Sequence, residues 1–126
     1  MVWLIESPAI FLQFYFYYCT IYLVSSCKNY CSSESINIEF EQACDLNRIR
    51  EALNQAPGVV LYDNPAEKHY PMPLIVDGKD EVYVGRIRLD ESLESGINCF
   101  VVGDNLRKGA ALNAIQILEL FIQDKK

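Results

Sequence analysis

The clearest pattern in the chain begins at Glu34. Ile36, Ile38 and Phe40 alternate with Asn37, Glu39 and Glu41, the period of a half-buried strand with a carboxylate row on its wetter side. Asp45 is placed to cap a helix, and Leu46, Ile49, Ala52 and Leu53 follow at helical spacing until Pro57 and Gly58, so the spacing predicts a helix over 46–55. Val59 to Tyr62 is a short apolar run closed by Asp63, Asn64 and Pro65, a strand entering a turn. The stretch Pro71 to Pro73 is expected to be extended and not helical.

Two further strands follow, over 80–89 and 97–102, rich in β-branched and aromatic residues and separated by the polar loop from Asp90 to Gly96. They are expected to pair antiparallel. On the first, strict alternation places Val82, Val84, Arg86 and Arg88 on one face and Tyr83, Gly85, Ile87 and Leu89 on the other. Arg86 and Arg88 can serve one carboxylate row, and Glu39 with Glu41 offers one. An exposed salt-bridge ladder is the plain expectation, with a subunit contact or an active-site rim as the alternative.

Residues 106–122 read as the last helix, with Asp104 or Asn105 as its cap and an apolar stripe of Ala110, Ala111, Ala114, Ile117, Leu118 and Phe121. The small residues predict a docked face. Arg107 and Lys108 sit where the helix dipole disfavours cations; two tolerated surface bases explain this as well as a bound anion does.

Composition changes this picture by splitting it. The first 33 residues hold one acid, Glu6, and one base, Lys28; the other 93 hold 16 acids and 10 bases, so the whole net charge of -6 lies in the second part. Nine of the fifteen aromatic residues fall in the first part, with Phe14 to Tyr18 consecutive. The domain division expected is therefore 1–33, an aromatic-rich hydrophobic segment, and 34–126, the folded unit. Pro8 to Val24 is borderline in length for a bilayer span, and Val24 to Cys27 resembles a lipoprotein cleavage box, but no basic start precedes it. It shows neither helical nor strand period.

The acidic balance and the absence of a basic run argue against a nucleic-acid partner. Five cysteines, at 19, 27, 31, 44 and 99, with a single histidine, His69, make no regular zinc set, so no metal is expected and free thiols fit a cytoplasmic chain.

The strings SESINIEFEQA, EALNQAPGVVLYDNP, YPMPL, GKDEVYVGRIR and GDNLRKGAALNAIQILEL occur in this order across residues 33 to 124. Together they resemble the C-terminal part of bacterial aspartate-semialdehyde dehydrogenase. The acylphosphate-reducing dehydrogenases of arginine biosynthesis share the architecture but match these strings less closely. The resemblance implies an NADP-dependent oxidoreductase of amino-acid biosynthesis, converting aspartyl 4-phosphate to aspartate 4-semialdehyde on the route to lysine, threonine and methionine. It implies an α+β fold with a mixed, mainly antiparallel sheet from the catalytic and dimerisation domain. Helix 46–55 would cover one face, and the C-terminal helix would pack beside a nucleotide domain.

In that family a cysteine thiolate attacks the acyl phosphate, phosphate departs, and hydride reduces the thioester, with a histidine for acid and base work and an arginine on the substrate carboxylate. No Gly-rich dinucleotide loop occurs in these 126 residues, and none of the five cysteines has the family's nucleophile context. The histidine position falls on Ser32 and the arginine position on Ser25. No catalytic residue is therefore assigned. Asn105 matches the position that contacts the NADP cofactor and is the one binding residue carried over; His69 lies outside the family's active-site positions. The expectation is a fragment inactive alone, its first segment arising from a frame disruption, a mistaken start or a fusion. It would associate as a homo-oligomer or with an intact subunit, without a membrane. A dimerisation or regulatory module, tethered to a membrane through residues 8–24, is the alternative. A unit near 90 residues buries only about 60–65% of its unfolded surface, so its stability is marginal.

Overall fold

The computed structural model describes residues 19–28, 30–43 and 45–123. Five strands form one sheet in the order β1-β2-β5-β4-β3, where β1 is Cys19–Lys28, β2 Cys31–Phe40, β3 Val59–Leu61, β4 Val82–Leu89 and β5 Gly96–Asp104. Three neighbouring pairs are antiparallel, and β3 runs parallel to β4. Helix α1 spans Leu46–Gln55, α2 is the short Pro73–Val76, and α3 is Leu112–Gln123.

The expected α+β architecture with a mixed, mainly antiparallel sheet is the one found. Helix α1 matches its sequence signals at both ends: the Asp45 carboxylate accepts the Asn47 backbone N–H at 2.9 Å, and Gly58 beyond the helix takes a φ of 74°. Its Ile49, flanked by Leu46 and Leu53, packs on Ile36, Phe40, Val84, Ile87, Ile97, Cys99 and Val101 of the first sheet face. The opposite face carries a smaller cluster, in which Val76 of α2 covers Cys31 and Val102, with Tyr83 and Phe100 packed at its side. Among the described residues that face is covered only at the α2 end. Ser33, Asn37, Tyr83, Asn98 and Phe100 remain half-buried there, and Ser35 is exposed.

Several local expectations are corrected. Residues 19–24 lack strand period, yet they belong to β1, which is paired with β2 from Cys19 opposite Phe40 to Lys28 opposite Cys31. Pairing partners, not alternation, make this strand, and its content of Thr, Ile, Tyr, Leu and Val suits it. The boundary between residues 33 and 34 thus falls within β2 and not between elements. Residues 1–18 lie outside the described residues, as does most of the 8–24 stretch. Met72 is extended as expected, but Pro73 opens α2, where a proline's missing N–H costs nothing. The last helix begins at Leu112, not 106; a wide turn over Arg107–Ala111 precedes it, with Ala110 at φ -139° and ψ -110°.

The main correction concerns β4. Val82, Val84 and Ile87 all face the α1 core, whereas strict alternation would separate Ile87 from the two valines. A bulge between Gly85 and Arg88 inserts one residue and restores the apolar phase. Arg86 takes the left-handed region at φ 53°. Asp63, its side chain only 2% exposed, accepts the backbone N–H groups of Arg86 at 2.7 Å and Ile87 at 3.3 Å and pairs with Arg50 at 2.5 Å. Arg50 also donates to the Ile87 carbonyl at 3.1 Å. At Gly85 an added Cβ would meet the Tyr62 carbonyl at 2.3 Å and Pro71 Cδ at 2.5 Å, so only glycine fits there.

Asp63→Ala strips two backbone donors and one guanidinium of their buried acceptor. It is expected to cost about 2–3 kcal/mol in urea unfolding, below the roughly 3–5 kcal/mol of a fully buried broken pair because Arg50 is partly solvated. Asp80→Ala, which removes the partner of Arg107 in an exposed pair, should leave the unfolding midpoint almost unmoved.

Candidate functional site

The corner where β5 turns toward α3 gathers four of the polar side chains the sequence singled out, Asp104, Asn105, Arg107 and Lys108. Asp104, the last residue of β5 and buried, accepts the N–H groups of Leu106 at 2.8 Å and Arg107 at 3.3 Å on Oδ1, and of Gly78 at 2.8 Å on Oδ2. Asp104, rather than Asn105, therefore receives the N–H groups that open the turn leading to α3. The cationic residues after it are also accounted for. Arg107 pairs with Asp80, whose hydrogen bond and charge raise the guanidinium's pKa further. Lys108 is buried and donates to Gln116 Oε1 at 2.5 Å; burial draws its ammonium pKa down, and Asp80 and Glu81 oppose this. The N–H groups of Leu106 and Arg107 that an external anion would use are taken by the chain's own carboxylate, so this turn does not need an anion to explain it.

Asn105 sits half-buried beside this turn, with its backbone N–H donating to the Tyr30 carbonyl at 2.7 Å and its side-chain Oδ1 buried. The β1–β2 turn, in which Tyr30 has a φ of 64°, is thereby tied to the β5–α3 corner. Cys31, Asp77 and Asp104 place one ligand atom each within 4.8 Å of one another. Both Asp104 oxygens already accept backbone N–H groups, and the Cys31 thiol points to the Pro73 carbonyl at 3.7 Å. Burial raises that thiol's pKa, and the charges of Asp104 and Asp77 add to the effect. Such a sulfur is a protonated core group and not a poised nucleophile.

The two positions where the resemblance places a histidine and an arginine adjoin in the sheet. Ser32 stands opposite Cys27 and Gly103, and Ser25 opposite Glu34, one pleat further along β2. Both carry serine, so the geometry that brings them together holds no imidazole and no guanidinium. Glu34 is a residue the sequence reading passed over. It is buried, and burial pushes its carboxyl pKa upward. Its even spacing from Ile36, Ile38 and Phe40 was the signal, since parity alone assigns it to the core face. His69 is elsewhere, stacked on Tyr62 with ring centroids 5.2 Å apart and 3.4 Å from Glu67.

The anticipated ladder between Arg86 or Arg88 and Glu39 or Glu41 does not form within the chain, because β5 separates β2 from β4. Among the described residues the ion pairs are Arg50–Asp63, His69–Glu67 and Arg107–Asp80. Arg88 donates to the Arg86 carbonyl at 2.9 Å, and Arg86 lies 6.0 Å from the Tyr70 ring centre. At the same end of the open face, Asn37 donates to Asp90 Oδ2 at 2.5 Å and to Asn98 Oδ1 at 3.1 Å. The Ser92 hydroxyl and backbone N–H hold the Asp90 carboxyl below the usual carboxylate range.

A corner without a nucleophile, beside a sheet face left open for contact, is the geometry of an assembly domain more than of a complete active site. The family model for the semialdehyde dehydrogenase dimerisation domain matches residues 29–108. The chain belongs to the semialdehyde dehydrogenase family through this domain. Its relatives are aspartate-semialdehyde dehydrogenases. That of Aquifex aeolicus is 50% identical over 95 residues, covering 75% of this chain and 28% of the relative, and that of Bacillus subtilis is 47% identical over 88 residues, covering 69% and 25%. Among solved structures, aspartate semialdehyde dehydrogenase II from Vibrio cholerae superposes with a TM-score of 0.68 at 41% identity, over 75% of this chain and 28% of that one. This chain therefore spans little more than a quarter of the length of the relatives it matches.

Cys99, in the α1 core, has its thiol pushed up to about 12 by burial, with Arg88 opposing. Two outcomes follow. At pH 8, native-state alkylation mapped by mass spectrometry should leave Cys31 and Cys99 unlabelled until the chain is unfolded. A thiol pKa raised on folding stabilises the fold fully below the unfolded value of 9.0 and ceases to do so as pH climbs toward 12, so denaturation midpoints should fall across that window and partly cease to do so in Cys99→Ala.

Proposed function

We propose that this chain supplies the subunit-contact part of an aspartate-semialdehyde dehydrogenase. In that enzyme reaction aspartyl 4-phosphate is reduced to aspartate 4-semialdehyde with NADPH. The observation that carries the reading is the sheet face opposite α1. It is covered by α2 at one end only and otherwise presents Ser33, Ser35, Asn37, Tyr83, Asn98 and Phe100 without a covering element among the described residues. A sheet buried on one side by a helix and left half-open on the other supports packing against a second copy through a self-complementary surface.

The 126 residues do not turn over by themselves. They contain no Gly-rich dinucleotide loop, the family's histidine and arginine positions are Ser32 and Ser25, and the thiols of Cys31 and Cys99 are buried and protonated. Asn105 is the residue proposed to meet NADP. The described residues do not fit a whole nucleotide, because the backbone donors of Leu106 and Arg107 are already taken by Asp104. Binding thus requires nucleotide contacts from residues other than these. Residues 34–126 are taken as the unit of descent, with 1–33 of separate origin although its strand joins the sheet. The compartment proposed is the cytoplasm; no described helix is long and apolar enough to cross a membrane.

The test uses the 126-residue chain. It should sediment as a dimer at micromolar concentration and, at any concentration, give no phosphate-dependent reduction of NADP with aspartate semialdehyde. A strictly monomeric chain would remove the contact reading, and turnover would remove the claim of inactivity.

A further inference from the structure

The two arginines on the β4 bulge and the carboxylates at the end of β2 stay apart, and among the described residues neither set is paired with an opposite charge. Arg86, Arg88, Glu39 and Glu41 are all exposed, and none takes part in the ion pairs found among the described residues. The bulge that projects the arginines is held by a buried carboxylate, a buried glycine and a left-handed arginine backbone. Left-handed backbone at a non-glycine residue persists only where its surroundings enforce it and is concentrated at sites of function.

Register settles which of the four share the open face. Arg88 pairs across from Asn98, and Asn98 from Asn37, whose side chains bond to each other on the face opposite α1. Glu39 lies two residues beyond Asn37 on β2, opposite Gly96, and so belongs to that face as well. The strand order puts β5 in the middle, with β4 on one side and β2 on the other. Strands two places apart in a sheet are separated by roughly 10 Å, too far for an ion pair. When two such faces meet about a two-fold axis running along β5, β4 of one copy overlies β2 of its partner at a sheet spacing again of roughly 10 Å, which an arginine and a glutamate reaching toward each other can bridge.

We infer that Arg88 of one copy pairs with Glu39 of a second copy, so that the two-fold uses this contact twice. The inference rests on the subunit-contact reading above and names the charge pairing within it. Asp90 is not the partner: its carboxylate already accepts from Asn37 and from Ser92. Arg88 is pre-ordered by its hydrogen bond to the Arg86 carbonyl, so less freedom is lost on pairing. Because an isologous contact repeats every pair, reversing one charge sets two like-charge contacts in the interface.

The experiment is a charge-reversal cycle on the full 126-residue chain, read by sedimentation equilibrium. Arg88→Glu and Glu39→Arg should each weaken the dimer by about tenfold or more, and the double variant should recover most of that loss. Circular dichroism checks that each variant is folded; where Arg88→Glu is not, Arg88→Gln is read in its place and should shift the dimer in the same direction. A wild-type dimer indifferent to Arg88→Glu, or a double variant no better than the singles, overturns the pairing while leaving the contact reading intact. A wild-type chain that never dimerises overturns the contact reading itself.

Discussion

One carboxylate fixes the geometry on which the rest depends. Asp63 leaves β3, enters the core side of the sheet and receives two N–H groups of β4 together with the Arg50 guanidinium of α1. Three segments distant in sequence thereby meet at one buried charge. A lone buried carboxylate would be costly; with three donors it becomes the reason the bulge sits where it does. The bulge in turn lets Val82, Val84 and Ile87 share one core while Arg86 and Arg88 stay in water.

Much of the fold was legible from the chain because its signals agree with one another. Asp45 at one end and Pro57–Gly58 at the other bounded α1, and β4 and β5 announced themselves through β-branched residues around a polar loop. Alternation along β2 was read correctly from Ile36 onward, but the strand begins at Cys31, where serines and a buried glutamate hide the period. The β4 faces were missed because a bulge breaks the parity on which face assignments rest. Gly85 inside a strand was the available clue. Strand β1 has no readable alternation; only its pairing with β2 defines it.

The site was less legible than the fold, for a physical reason. Asp104 and Asn105 are equally good caps by residue type, and only the structure shows that Asp104 gathers donors from both the turn leading to α3 and Gly78. The charge conflict at Arg107 and Lys108 looked like an invitation to an anion. It is answered internally, by Asp80 on one and by Gln116 on the other. Sequence shows residue types; it does not show which donors have already been claimed.

The turn that follows β5 also acts as the mounting of a lever. Helix α3 has twelve residues and is therefore about 18 Å long. It leans on the 107–111 turn, and Ile115, Leu118, Phe121 and Ile122 along it are exposed. A tilt of about 10° at its base carries the far end through about 3 Å, roughly two residues of helix rise. Where those four apolar side chains are aimed is thus set by the kinked turn on which the helix stands.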